Sequence, residues 1–341
     1  MKKILVTIIQ LAVTVGLLVW VYHDPKKLAE MRQALTHARF EWLAAGILAY
    51  LVVEAAAAFR WHVLLKVQGI SLNLPRLSGL FLIGMFYNQF LPGGTGGDII
   101  KSYLLLKETD RKAGALLAVV FDRFIGLVAL VAVTVTLVSM RFDLLAQTYE
   151  TRRYLWILLI LLGVSIASLV ASFLVSGFNL FHLLPHKFPG REKLIEIAAA
   201  YHLYARHWIA TSVAFCASLV AHLATFTTFL CAAFALRADV RVTDFFAVMP
   251  IERTISALPI SFAGVGLREK VLQTMLHQVC GVNEGVAVLI GSLSFLMMVL
   301  CCLPGGIVYF FYRPSGVAGR VRIREMQREV ATMEHEISES Q

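Results

Sequence analysis

The sequence predicts an all-α integral membrane protein, a polytopic bundle of about eight helices with two broken or re-entrant segments interrupted by glycine and proline. Three observations predict it. Hydrophobic residues make up 58% of the 341 positions and charged residues only 16%, against roughly 45–50% and about 25% in soluble domains. Apolar runs close to the ~20 residues that cross a bilayer follow one another along the chain. Two of these runs break at glycine and proline, which a membrane tolerates only where irregular backbone is buried in protein or lines a polar cavity. No long polar stretch remains for a separate soluble catalytic domain. The formal net charge of +9 favours anionic lipid surfaces. The basic residues are scattered between apolar runs, which excludes nucleic acid as a partner. The five cysteines lack metal-ligand spacing and read as buried small hydrophobes. No metal or cofactor is expected.

The chain opens Met1-Lys2-Lys3 and is apolar from Ile4 to Tyr22 without a small-x-small cleavage site, which predicts an uncleaved first span with Trp20 and Tyr22 at the interface. From Lys26 to Phe40, Leu28, Met31, Leu35 and Ala38 form one stripe among basic residues, a helix lying on the membrane surface. The second span covers Glu41–Phe59 and carries Glu54, a candidate proton-coupling acid or a locally hydrogen-bonded group; a loop with Arg60, Lys66 and Arg76 follows. Leu77–Leu91 is short for a span and ends in Pro92-Gly93-Gly94-Thr95-Gly96-Gly97, with a helix predicted over Asp98–Leu106. Further spans fall at Ala113–Met140, Tyr154–Ser176 and His207–Leu236, with an amphipathic linker at Arg191–Arg206. The second interrupted segment, Phe245–Phe262, holds Glu252-Arg253 and Pro259; a helix at Leu267–Val279 and a last span at Val286–Tyr312 complete the bundle.

Residues 1–312 thus form the transmembrane domain and 313–341 a short cytoplasmic tail, whose Met326, Val330, Met333 and Ile337 make one apolar stripe. With eight crossings, Lys and Arg are nearly balanced across the membrane. Lys2, Lys3 and the arginines of the tail then place both termini in the cytoplasm.

The two interrupted segments echo one another. Each combines an apolar run, Leu-Pro, a glycine-rich break and a helix that opens with charge, and each half has an acid-Arg dipeptide in apolar sequence. Paired interruptions of this kind in two halves point to a transport site. Gly93, Gly94, Gly96 and Gly97 permit close backbone approach. The helix that follows offers free N–H groups and a positive dipole end to a lipid phosphate, with Lys101 one turn on. Alternatively the glycines make a tight turn and Asp98 is an ordinary N-cap. Gly264-Val265-Gly266 before Arg268 and Glu269 is a similar opening. It lacks the third glycine and the preceding strand of a dinucleotide site.

Asp122-Arg123 and Glu252-Arg253 are ionisable residues in apolar sequence, which in a membrane face a cavity or a partner. Sequence neighbours point ~100° apart on a helix, so each acid is expected to pair with another element rather than with its own arginine. The arginines either hold a phosphate through paired N–H donors or form structural ion pairs between spans. His222, in mid-span, reads as a core histidine. The chain has no phosphate-binding Gly-x-x-x-x-Gly-Lys loop, no His-Glu-x-x-His and no Gly-x-Ser-x-Gly, so no known hydrolase signature is present.

Phe86-Tyr87-Asn88-Gln89-Phe90-Leu91-Pro92-Gly93-Gly94-Thr95-Gly96-Gly97-Asp98 resembles the N-x-x-L-P-x-x-x-G-G-D signature of the lysylphosphatidylglycerol synthase transmembrane, or flippase-like, family. Arg60-Trp61-His62-Val63-Leu64-Leu65 is similar to its R-W-x-x-L-L step, Asp122-Arg123 to its mid-span acid-Arg pair, and Pro259 through Gly264, Gly266 and Glu269 to its late P-x-x-x-G-x-G-x-x-E motif. The resemblance spans about residues 5–312 and implies a helical bundle with broken helices. In two-part relatives this domain flips aminoacylated phosphatidylglycerol made by a C-terminal soluble domain, which the residues after the last span do not provide here. Relatives without that domain occur beside glycosyltransferases and isoprenoid-lipid enzymes, which implies a lipid-synthesising or glycosyltransferase partner.

The expected function is binding and translocation of an anionic phospholipid or an isoprenoid or glycolipid between leaflets of the inner membrane. The alternative is a membrane-embedded lipid or glycolipid transferase, or an accessory subunit of one. The expected headgroup site combines Asn88, the Pro92–Gly97 break, Asp98, Lys101, Asp122, Arg123, Glu252, Arg253, Pro259, Gly264, Gly266, Arg268 and Glu269.

Overall fold

A computed structural model describes residues 12–20, 23–91, 96–177, 191–258 and 260–312, and every regular element among them is helical. The tail at 313–341, together with Pro92, Gly93, Gly94 and Pro259, lies outside the described residues. Residues 12–20 are helical (α1). They are followed by α2 (Pro25–Thr36), α3 (Phe40–Val67), α4 (Leu74–Phe90), α5 (Gly96–Leu106), α6 (Lys112–Met140), α7 (Phe142–Leu145) and α8 (Tyr149–Gly177). Then come α9 (Arg191–Arg206), α10 (Trp208–Ala235), α11 (Val242–Ser256), α12 (Leu267–Cys280) and α13 (Glu284–Phe311).

Five of these helices, α3, α6, α8, α10 and α13, are long and apolar enough to cross a membrane. The chain is a multi-pass membrane protein. Large apolar side chains remain exposed along α8, such as Ile160 at 63% and Val164 at 63%, which suits lipid and would be a liability in water. On α2, Asp24 accepts from the Lys26 amide at 2.9 Å and Pro25 opens the helix. Its Leu28 and Leu35 are exposed while Met31 is buried, as expected of a helix along the bundle's edge.

The two interrupted segments have the form of re-entrant hairpins, as the sequence allows, and five helices among the described residues, rather than eight, are long and apolar enough to cross. α4 and α5 have 17 and 11 residues, α11 and α12 have 15 and 14, all below the ~20 that a spanning helix requires. Each pair turns back on itself at its break. The feet of the first hairpin share one face: Arg76 pairs with Glu108 at 3.4 Å, and Arg111 donates to the Gln68 carbonyl at 3.1 Å. The end of α13 joins them there, with Tyr312 donating to Glu108 at 2.8 Å. α6 then carries the chain from Arg111 to Arg141, which pairs with Asp244 at the start of α11 at 2.8 Å. On that second face Lys27 pairs with Glu284 at 3.1 Å, and the Arg39 amide donates to the Ala235 carbonyl at 2.8 Å. The hairpins therefore enter from opposite faces and meet inside, an inverted arrangement of the kind seen around transport sites.

This layout is checked by accessibility. In a cysteine-free background, single cysteines at Gln68 and Lys107 are expected to react with an impermeant thiol reagent from the same side, and one at Arg241 from the other. Labelling of positions 68 and 107 from opposite sides would restore the full crossings and remove the hairpin.

Candidate functional site

The tips of both hairpins converge on one cavity of about 510 Å³, walled elsewhere by α3, α6 and α10. In the first half, Asp122 on α6 is buried and accepts two bonds from Arg60 on α3, at 2.7 Å from Nε and 3.1 Å from Nη2. This is the bidentate fork that guanidinium and carboxylate favour. Arg60 also donates to the Ser218 hydroxyl on α10 at 3.1 Å. Lys101 on α5 lies 3.8 Å from both Asp122 and Asp98, with its ammonium 4.5 Å from the centre of the Trp61 ring, a cation–π contact. Asp98 in turn pairs with Arg123, whose side chain is 56% exposed toward the cavity. The result is an alternating relay: Arg60, Asp122, Lys101, Asp98, Arg123.

The break before α5 has a different logic from the one read in the sequence. Asn88 Oδ1 accepts the Gly97 amide at 2.9 Å, and its Nδ2 faces Asp98 at 3.5 Å. Asn88 thus supplies the capping acceptor, and the helix end spends that N–H on the protein itself. A Cβ on Gly97 would run into the Gly84 carbonyl oxygen and, at 2.6 Å, the Asn88 amide nitrogen. The close approach that glycine permits here is helix on helix. Gly96 faces the movable Leu91 side chain. Neither Gly96 nor Gly97 lines the cavity, whereas Asn88, Asp98, Lys101, Asp122 and Arg123 do.

In the second half, Glu252 on α11 is buried and lies 3.6 Å from Arg268 Nε on α12. Arg268 donates through Nη2 to the Ala263 carbonyl at 3.0 Å and stacks 4.7 Å from the Phe295 ring centre. Its Nη1 is buried without a hydrogen-bond partner among the described residues, as is the Ser261 hydroxyl; both residues line the cavity. The tip turns through left-handed backbone at Ala263, Gly264 and Gly266, with φ of 50°, 74° and 83°, a region glycine enters freely. Glu269 accepts the Gly266 amide at 2.6 Å. Gly266 and Glu269 therefore build the start of α12 away from the cavity, while Gly264 lines it.

The two acid-Arg dipeptides share one geometry. Asp122 and Glu252 are buried against an arginine from another element, and Arg123 and Arg253 turn to the cavity, as the ~100° step between neighbours requires. They differ in one respect. Arg123 is held by Asp98, whereas the exposed side chain of Arg253 makes no hydrogen bond or close ion pair among the described residues and meets Glu252 only at longer electrostatic range.

Arg60 is the residue that sequence reasoning misplaced. The hydropathy pattern ends the second span at Phe59, but α3 continues through Arg60 to Val67. The signal was the apolar sequence resuming as Trp61, Val63, Leu64 and Leu65. His222, read as core, has its Nε2 3.0 Å from the Gly126 carbonyl and stands in the cavity wall. Glu54 is buried against α13, where Cys302 Sγ donates to it at 3.7 Å. Among the described residues no group of three His, Cys, Asp or Glu is placed to hold a metal ion.

Comparison with known proteins agrees with a membrane role in lipid metabolism or transport. No curated protein matches the chain. The family model described as lysylphosphatidylglycerol synthase TM region matches residues 7–306, nearly the whole membrane-embedded part, so the chain belongs to the lysylphosphatidylglycerol synthase TM region family.

Proposed function

We propose that this protein binds the headgroup of an anionic phospholipid or isoprenoid or glycolipid in the central cavity and moves it between leaflets of the inner membrane. One observation carries the reading: Arg253, whose side chain makes no hydrogen bond or close ion pair among the described residues, lines the same cavity as the exposed Arg123, from the other half of the bundle. An arginine within a membrane domain usually faces a polar cavity or a partner, and its planar fork suits two phosphate oxygens. Hairpins entering from opposite faces give the site an element that can yield toward either leaflet, the basis of alternating access. The polar wall would take the headgroup while the acyl chains stay in lipid. Asp98, Asp122 and Glu252 hold the cationic side chains in place rather than meeting the ligand.

The test is leaflet transfer of labelled anionic lipid in proteoliposomes. Wild-type protein is expected to accelerate transfer. Arg253→Lys keeps the charge but loses the fork, and is expected to slow transfer about tenfold at unchanged abundance, the value of one charge-assisted hydrogen bond. Transfer by Arg253→Ala at the wild-type rate would overturn the role of this residue, and a wild type without transfer would overturn the function.

A further inference from the structure

We propose that Glu54 is a proton-coupling site: it holds one proton while it is buried in the bundle and releases it when water reaches it, so that lipid transfer is tied to a proton gradient. The inference rests on the translocation reading above and deepens it by naming what drives the transfer. Five carboxylates are buried among the described residues: Glu54, Asp122, Asp244, Glu252 and Glu269. Asp122 meets Arg60, Asp244 meets Arg141 and Glu252 meets Arg268, while Glu269 accepts the Gly266 amide at the start of α12. Glu54 has no such partner. Its hydrogen bond comes from Cys302 Sγ on α13 at 3.7 Å, and a thiol is a weak donor without charge. No Lys, Arg or His lies within ion-pair distance of it among the described residues.

The titratable groups that face Glu54 bring no positive charge. They are Tyr50, one turn earlier on α3, and Cys301 and Cys302 on α13. Arg253 on α11 acts on Tyr50 from the cavity side. On the other helices packed against α3 the ionisable groups are engaged elsewhere. His222 on α10 meets the Gly126 carbonyl, Asp122 and Arg123 on α6 pair with Arg60 and Asp98, and Tyr87 on α4 packs on Tyr309. Cys231 on α10 stands beside Gly46, about two turns from Glu54. A carboxylate stripped of water and without a counter-charge is costly, whereas the neutral acid is not. The bundle with Glu54 buried therefore suits the protonated form, and a conformation that brings water to Glu54 suits the carboxylate. Alternation between the two takes up and gives off one proton, because a ligand favours the state that binds it better. Tyr50 marks the way in, since it lines the cavity and meets Cys302. The exchange is with water: hydronium in the cavity gives one proton to the Glu54 carboxylate and becomes water, and the reverse step restores the carboxylate.

The experiment uses proteoliposomes of the full chain with labelled phosphatidylglycerol, a pH step of about one unit across the membrane and the membrane potential clamped at zero. With one proton per lipid, the label is expected to move from an even distribution to a leaflet ratio of up to about tenfold, the ratio that one pH unit can drive. Glu54→Gln keeps the size of the side chain but binds no proton, and should lose the response to the step; Glu54→Asp keeps the acid and should retain it. Infrared absorption of the purified protein gives a reading that needs no transport. The difference between wild type and Glu54→Gln is expected to contain the carbonyl band of one carboxylic acid at neutral pH. Wild-type protein that transfers the lipid but distributes it evenly under the step overturns the coupling and leaves translocation standing. A Glu54→Gln variant that follows the step like the wild type overturns the role of Glu54, as does a difference spectrum without the acid band. A wild type without transfer at any pH overturns translocation, and the coupling with it.

Discussion

Asp122→Ala is expected to destabilise the protein by roughly 3–5 kcal/mol, because it leaves Arg60 and Lys101 buried without their shared counter-charge. Arg60 points both Nε and Nη2 at this carboxylate, and its remaining bond, to Ser218, is neutral. Lys101 would keep only Asp98, which is already committed to Arg123. The loss should appear as a lower melting temperature of the purified protein and a smaller folded fraction. Joint replacement by apolar residues, Arg60→Met with Asp122→Leu, removes the main pair and should recover part of the loss, since an apolar pair avoids the desolvation of two ions. If Asp122→Ala melts with the wild type, the relay is not holding α3, α5 and α6 together.

The second large effect is Gly97→Val. The added Cβ meets backbone, the Gly84 carbonyl and the Asn88 amide, and neither can swing aside as a side chain could. Overpacking of this kind costs about 3 kcal/mol or opens the contact. Here the contact is the first hairpin itself, so loss of folded protein is expected rather than selective loss of lipid transfer. Gly96→Ala meets only the Leu91 side chain and should be tolerated far better. Size-exclusion profiles of the two solubilised variants separate these outcomes. A monodisperse Gly97→Val with wild-type yield would contradict the helix-on-helix reading of the break.

The fold class, the breaks and the pairing logic of the acid-Arg dipeptides were legible because each has a local cause: run length, glycine and proline, and the helical angle between neighbours. Two things were not. Whether an interrupted helix crosses or returns is decided at its feet, by contacts such as Arg76 with Glu108 across 32 positions of chain, and no local pattern encodes them. Arg60 was lost for a related reason. Charge in a hydropathy pattern reads as the end of a span, yet α3 carries this arginine within the bundle because Asp122 comes to meet it. The same limit separated the glycines. Gly97, Gly264 and Gly266 looked alike in sequence. The first packs two helices, the second turns the backbone at the cavity wall, and the third starts α12 against Leu17.

On the proposed reading, Arg123 and Arg253 make an anion site in a cavity lined by the tips of two oppositely inserted hairpins. Mass spectrometry of lipids retained by the gently purified protein tests it most directly, comparing wild type with Arg123→Gln/Arg253→Gln. An anionic lipid is expected to be retained by the wild type and lost from the folded double variant, with zwitterionic lipids retained equally by both. Retention of the same anionic lipid by the double variant, or zwitterionic lipid alone on the wild type, would contradict it.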